Sequence, residues 1–215
     1  QLPTSGCVPH FTCFEATSPS TISFTWNYGD GTVEVGGDSM CHTYTSTGTF
    51  YSELILNDGV GCIYAMPIGV VVVNGANCNF NMDNPALCTS GTVQFTDSSY
   101  GTSPVATWNW NFGDAASGSA NHSSLQNPSH FFASPGTYNV TLNITTVDGC
   151  TNSHSETVTV NPAPVAYFDR VDSSTCAPDS VHFFDETVSS SPITNWYWNF
   201  GDPASGAANT DTLQN

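Results

Sequence analysis

Trp108-Asn109-Trp110-Asn111-Phe112-Gly113-Asp114 decides the reading of this chain, and it occurs three times. Phe24-Thr25-Trp26-Asn27-Tyr28-Gly29-Asp30 precedes it, and Trp196-Tyr197-Trp198-Asn199-Phe200-Gly201-Asp202 follows. The Gly-Asp pairs lie 84 residues (114 − 30) and 88 residues (202 − 114) apart, which fits one small β-domain per copy. Large aromatics fall on alternate positions, the period of a strand with one buried face. Trp108, Trp110 and Phe112 are expected to face the core, as is Trp196 beside Trp198, while Asn109, Asn111 and Tyr197 point outward. Gly-Asp then ends the strand: glycine supplies unusual backbone angles, and Asp30, Asp114 and Asp202 are expected to cap the turn.

Outward from the middle motif, Val93 and Phe95 mark a preceding strand, and Asp114 to Asn127 a polar loop. His130 to Phe132 reads as a strand, and Ser134-Pro135-Gly136 as a turn. The next strand carries Tyr138, Val140, Leu142 and Ile144 inward, and Asp148-Gly149-Cys150 turns the chain into the last strand. About seven short strands, with Trp on the third and Tyr entering the sixth, predict an all-β chain of tandem immunoglobulin-like sandwiches. The copies divide it into 1–75, lacking a first strand, 76–164, complete, and 165–215, ending before the last strands. The linkers Asn74-Gly75-Ala76 and Asn161 to Pro164 are short, so a rod is expected, each repeat adding roughly 35–45 Å.

Charge narrows the functions. Of 215 residues, 18 are acidic and one, Arg170, is a cation, giving a formal net charge of −17 without a single lysine. Such a surface repels nucleic acid and anionic membranes, which need Lys and Arg to neutralise phosphate. No segment has the length and apolarity of a membrane span. Eight cysteines in a β-rich chain indicate an oxidising compartment. No nucleophile elbow, Cys-His pair, phosphate loop or spaced histidine pair is present, so neither catalysis nor zinc is expected. Acidic, oxygen-rich loops leave Ca2+ open as a ligand, without a D-x-D-x-D-G loop to name its donors.

The ordered string W-N-F-G-D, then Asn127-Pro128-Ser129-His130-Phe131, then Pro135-Gly136-Thr137-Tyr138-Asn139-Val140-Thr141-Leu142, resembles the polycystic kidney disease (PKD) repeat. The resemblance covers essentially the whole chain and is strongest in the second copy. It implies a non-catalytic immunoglobulin-like sandwich on a cell surface, with His42 and His130 as structural histidines. Copies with a cysteine before the second strand and a Gly-Cys turn are similar to giant Bacteroidetes surface proteins, including gliding adhesins exported by type IX secretion. The function expected is therefore the stalk of a secreted adhesin or filament. The alternative is a spacer or carbohydrate-binding accessory of a secreted protease or glycoside hydrolase. Expected partners are neighbouring repeats, identical chains in a filament, and surface glycans or proteins bound at a tip outside this segment.

All eight cysteines are disulfide candidates. Cys13 and Cys41 end the second strand and begin the fifth, antiparallel neighbours in such a sandwich. They are the favoured pair, expected within the 4.4–6.8 Å Cα window. Cys7, Cys88 and Cys176 precede the second strand, and Cys62 and Cys150 lie in the last hairpin turn. One arrangement staples one repeat to the next, as Cys7–Cys150; Cys78 is a competing partner for Cys150. Asp-Ser/Thr-apolar triplets like those of the resembling proteins make Ser39, Ser180 and Thr212 O-glycosylation candidates.

Overall fold

The computed structural model describes residues 5–17, 23–57, 63–172 and 181–214. Cys62, Cys176 and Ser180 lie outside the described residues. Its regular structure is β throughout, apart from two short 3-10 segments. None of its described helices is long and apolar enough to cross a membrane. Two compact units are present: Gln1–Asp83 with Gln94–His130 and Asn139–Glu156, and Asn84–Val93 with Phe131–Tyr138 and Thr157–Asn215.

The first repeat contains β1 (Ser5–Cys7), β2 (His10–Glu15), β3 (Phe24–Asn27), β4 (Val33–Gly36), β5 (Ser39–Tyr44), β6 (Gly48–Asn57) and β7 (Ile63–Asn74). One sheet has the order β1-β7-β6-β3-β4, and β2 pairs β5 in the other. Alternation explains the core: β2 buries Phe14 and β3 buries Phe24 and Trp26, joined by Tyr28, Tyr44, Leu54, Val71 and Val73. Phe14 of the small sheet stands 6.2 Å from Trp26 of the large one, ring centre to ring centre, so the two sheets share one core.

In the next repeat, β8 (Ala76–Asn77), β9 (Phe80–Met82), β10 (Ala86–Cys88), β11 (Gly91–Asp97) and β12 (Tyr100–Gly101) lead to β13 (Val105–Asn111), the motif strand. A 3-10 segment, Ala115–Asn121, then precedes β14 (His122–Ser123), β15 (Ser129–Phe132), β16 (Gly136–Thr146) and β17 (Thr151–Asn161). The sheets are β10-β17-β16-β13-β14 and β15-β11-β9, the arrangement of an immunoglobulin-like sandwich. Val93, Phe95, Trp110, Phe112, Val140, Leu142 and Ile144 are all within 1% of complete burial, so the alternating stripes of three strands form one core. By this template β1 is the counterpart of β10: each pairs parallel with the last strand of its repeat.

The last copy has β18 (Phe168–Asp172) paired with β19 (Val181–Asp185), and β20 (Trp198–Asn199) paired with β21 (Thr210–Asp211) after a 3-10 segment, Pro203–Asn209. Phe168, Phe183 and Phe200 surround Trp198 at 5.6, 5.9 and 6.5 Å, as Phe80, Phe95 and Phe112 surround Trp110.

Candidate functional site: the repeat motif and the junction between repeats

The central tryptophan of each motif, two residues before the aromatic that precedes Gly-Asp, satisfies its indole N–H on a backbone carbonyl in the segment after its strand. Trp26 donates to Gly37 O at 3.1 Å, Trp110 to Leu125 O at 2.9 Å and Trp198 to Leu213 O at 2.8 Å. A buried indole without such an acceptor would forfeit a hydrogen bond, so these carbonyls fix where the loop crosses the core. The motif asparagines are turn caps. Asn27, Asn111 and Asn199 accept from the N–H groups of Gly29, Gly113 and Gly201 at 3.1, 2.9 and 3.0 Å. Nothing in strand alternation announces that role.

The motif aspartates divide. Asp30 accepts from Thr32 N–H at 2.9 Å and from His42 Nε2 at 2.7 Å. Burial opposes its ionisation, but these bonds outweigh burial and hold its carboxyl below the ordinary value. Asp202 accepts from Ala204 N–H at 3.2 Å, a turn cap. Asp114 corrects the capping expectation. Its side chain makes no cap bond; it sits 6% exposed against His130 Nε2 at 3.1 Å, while its backbone carbonyl receives Ser117. A carboxylate this buried needs a polar partner, and the imidazole of His130 supplies it. Each histidine also stacks on the motif aromatic: His42 on Tyr28 at 4.1 Å, His130 on Phe112 at 4.4 Å. Tyr28 adds a hydroxyl that Phe112 and Phe200 lack. Burial first, and then its bond to Glu34 at 3.0 Å, push that phenol up to about 12. The pairs tie the end of the motif strand to β5 and β15, which carry the histidines.

Trp108 and Trp196 depart from the expected core face. Both are only half-buried, and each indole N–H donates 2.8 Å to a carboxylate, Asp97 and Asp185 respectively. The physical reason is the position of those acids at the ends of β11 and β19. A carboxylate needs polar neighbours, so the ring stays beside it at the sandwich edge instead of entering the core. Burial opposes ionisation of Asp97, but Ser99, Gln126 and Trp108 outweigh it and lower its pKa. An open cleft of about 480 Å³ lies here, lined by Trp108, Asp97, Tyr100 and Gln126 among others. A cleft of about 460 Å³ flanks Trp196 and Asp185 in the last copy. Tyr197 is 72% exposed.

Cys13 and Cys41 are bonded, directly opposite one another on β2 and β5. Their Cα atoms are 3.9 Å apart, closer than the window expected. Both lie on the outward face, alternating with buried Thr12 and Phe14. Cys7 is bonded to Cys150, 143 residues away. The competing partner Cys78 is instead a buried thiol donating to Leu142 O at 3.3 Å, and Cys88 is an exposed thiol. Burial raises the pKa of Cys78. Around the Cys7–Cys150 bridge, Thr102 N–H donates to Gly75 O at 3.0 Å and its Oγ1 accepts from Gly75 N–H at 3.0 Å. Asn152 Nδ2 donates to Ala76 O at 2.6 Å, and β8 pairs β12. The linker thus has few backbone groups left to solvent. No group of three or more His, Cys, Asp or Glu side chains suited to a metal ion occurs among the described residues. Ser39 is exposed at the start of β5, and Thr212 is exposed after β21.

These features define a class: tandem, disulfide-bearing immunoglobulin-like sandwiches built around an aromatic motif strand. Residues 2–69 and 79–160 match the PKD domain model, more than half of the chain, and the chain belongs to the PKD domain family. PKD domains are generally non-catalytic and, with disulfides, typical of extracellular proteins. Among solved structures, the chain is similar to the PKD1 domain of Vibrio anguillarum Epp at 25% identity, covering 40% of this chain and 93% of that one, with a TM-score of 0.34. It is similar to carbohydrate-binding modules of the beta-sandwich superfamily at 18% identity over 51% of this chain and 52% of that one, TM-score 0.38. A C-terminal fragment of intimin, solved with the intimin-binding domain of its translocated receptor, is 13% identical over 73% of this chain and 59% of that one, TM-score 0.40. No curated protein matches the chain.

Proposed function

We propose that this chain is a stalk segment of a large secreted surface adhesin or filament, of the type IX-exported Bacteroidetes kind it resembles, and that its repeats do mechanical work. The observation that carries the reading is the Cys7–Cys150 bridge, which joins two successive repeats covalently beside a three-residue linker. A spacer that must hold a distant tip away from the cell benefits from junctions that neither unfold nor swing freely. The formal charge of −17 keeps such stalks apart and soluble, and attracts divalent cations. Its partners are neighbouring repeats, and targets are bound at a tip outside this segment. Sequencing and mass measurement of the parent polypeptide test the reading. Many further repeats and no catalytic domain support it; a protease or glycosidase domain beside two or three repeats overturns it.

The clefts beside Trp108 and Trp196 favour a second reading, carbohydrate-binding accessory domains, because a flat indole beside a carboxylate and an amide suits a sugar ring. Glycan-array binding that is lost in Trp108→Ala would support it, and absence of any glycan signal would remove it.

A further inference from the structure

Cys88 occupies the position that Cys7 uses to reach the following repeat. Cys7 closes β1 and stands opposite Asn74, whose carbonyl accepts the next amide, Val8 N–H, at 2.8 Å. Cys88 closes β10 and stands opposite Asn161, whose carbonyl accepts Thr89 N–H at 2.7 Å. Asn74 and Asn161 each begin the link to the next repeat. Beyond the first link, Asn77 pairs with Tyr100; beyond the second, Val165 pairs with Val188, each residue displaced by the same 88. The strand register and the carbonyl–amide bond that hold Cys7 are therefore reproduced around Cys88.

One thing differs. Cys7 is bonded to Cys150, in the Asp148-Gly149-Cys150 turn between the last two strands of the following repeat, whereas Cys88 is an exposed thiol. Cys150 is 2% exposed and locked in place: its N–H donates to Thr146 Oγ1 at 3.0 Å and its carbonyl accepts Thr146 N–H at 2.8 Å. Cys78 offers no alternative partner, since its thiol is buried and spent on Leu142 O.

We propose that Cys88 forms a disulfide with the corresponding hairpin cysteine of the repeat that carries Trp198, one 88-residue period after Cys150 and past Asn215. The staple then recurs at successive junctions, and the cysteine before each second strand is the outgoing half of a covalent brace. Two thiols give up two protons and two electrons as the S–S bond forms. The electrons reduce the disulfide of a dithiol–disulfide oxidase of the export compartment. The inference rests on the array continuing, as in the proposed function, but not on any role at the surface.

The test uses the parent protein. Free thiols are blocked with N-ethylmaleimide, and disulfide-linked peptides are mapped after peptic digestion in acid, because trypsin has only Arg170 to cleave in these 215 residues. The expected product links the Cys88 peptide to a Gly-Cys hairpin peptide of the following repeat. Recovery of Cys88 as its maleimide adduct, or bonded to Cys62, Cys78 or Cys176, overturns the proposal. Thiol titration of Cys88→Ser gives an independent reading. The free-thiol count rises by one if the hairpin cysteine is released, and falls by one if Cys88 was free. A catalytic domain in the parent would remove the stalk reading and leave this result untouched.

Discussion

Gly29 and Gly31 flank Asp30 in the first motif turn, and replacing each with alanine separates two reasons for a glycine. Both have positive φ, +81° and +96°. Holding an L-residue in the left-handed region costs about 1–2 kcal/mol at either position. Only Gly29 faces a second cost. A Cβ there would lie 2.5 Å from Tyr51 O and 2.8 Å from Tyr51 N, whereas one on Gly31 meets nothing within 4 Å. Tyr51 belongs to β6, which is hydrogen-bonded to β3 on one side and β7 on the other, so its backbone cannot retreat without breaking a ladder. Overpacking of that kind costs about 1–3 kcal/mol more. Gly29→Ala should therefore lose about 2–5 kcal/mol and Gly31→Ala about 1–2 kcal/mol. Hydrogen exchange of the Phe24–Asn27 peptide reads the first repeat by itself, which a global melt of a multidomain chain does not. The second repeat repeats the contrast: a Cβ on Gly113 meets Asn139 O at 2.6 Å, and one on Gly149 meets nothing. Equal losses at Gly29 and Gly31 would refute the idea that close approach of the sixth strand makes the motif glycine obligatory.

Replacing Cys13 and Cys41 together by serine removes a bridge closing 28 residues of chain, and loop entropy puts the loss at about 3–4 kcal/mol. Because the bridge is on the outward face, no cavity adds to that figure, and urea unfolding followed by exchange in β2 and β5 should show it. A loss under about 1 kcal/mol would mean that the unfolded chain is already held compact in this region. Asp97 has a depressed pKa, so its contribution is complete above the ordinary value of 3.8 and disappears as pH falls through the lower folded value. Exchange protection of β11 should stay level from neutral pH to about 5 and fall below 4; Asp97→Asn should flatten that fall. An unchanged acid limb in the variant would remove Asp97 as its source. Produced as these 215 residues alone, without the partner cysteine proposed above, the chain should show Cys88 reacting with a thiol reagent at once and Cys78 only on unfolding, since burial both covers Cys78 and raises its pKa. Equal rates would contradict the burial of Cys78.

Period-two alternation made the sandwich legible, because one buried face forces every second residue of β13 and β16 to be apolar. Trp110, Phe112, Val140, Leu142 and Ile144 could be placed inward on that ground alone. Alternation does not say where the opposing sheet ends, and Trp108 stands there, held at the edge by Asp97. Nor does it report bonds made across a turn. The asparagine caps on Gly29, Gly113 and Gly201 depend on how the backbone doubles back. The Asp114–His130 pair joins residues 16 apart through a loop whose path no local pattern specifies. The cysteine spacings placed one staple among its alternatives, but only the parallel pairing of β1 with β7 brings Cys7 to the end of its repeat.

Two of these omissions, the place of Trp108 and the Asp114–His130 pair, share a cause, which is the charge composition. With 18 acids and one arginine, the carboxylates that folding draws into half-buried places have almost no cations to pair with. They take N–H donors instead: indoles for Asp97 and Asp185, imidazoles for Asp30 and Asp114, and backbone amides for Asp30 and Asp202. A hydrogen bond to a carboxylate contributes about 1.5–3 kcal/mol, so these acids are satisfied without lysine or arginine and the chain keeps its large negative charge. Salt therefore has almost no lysine or arginine pair to weaken and a large repulsion to screen. Raising the ionic strength from 0.01 to 1 M shortens the screening length from about 30 to about 3 Å and should raise the unfolding midpoint of every repeat. A midpoint that fell with salt would mean that the acids are balanced by ion pairs after all.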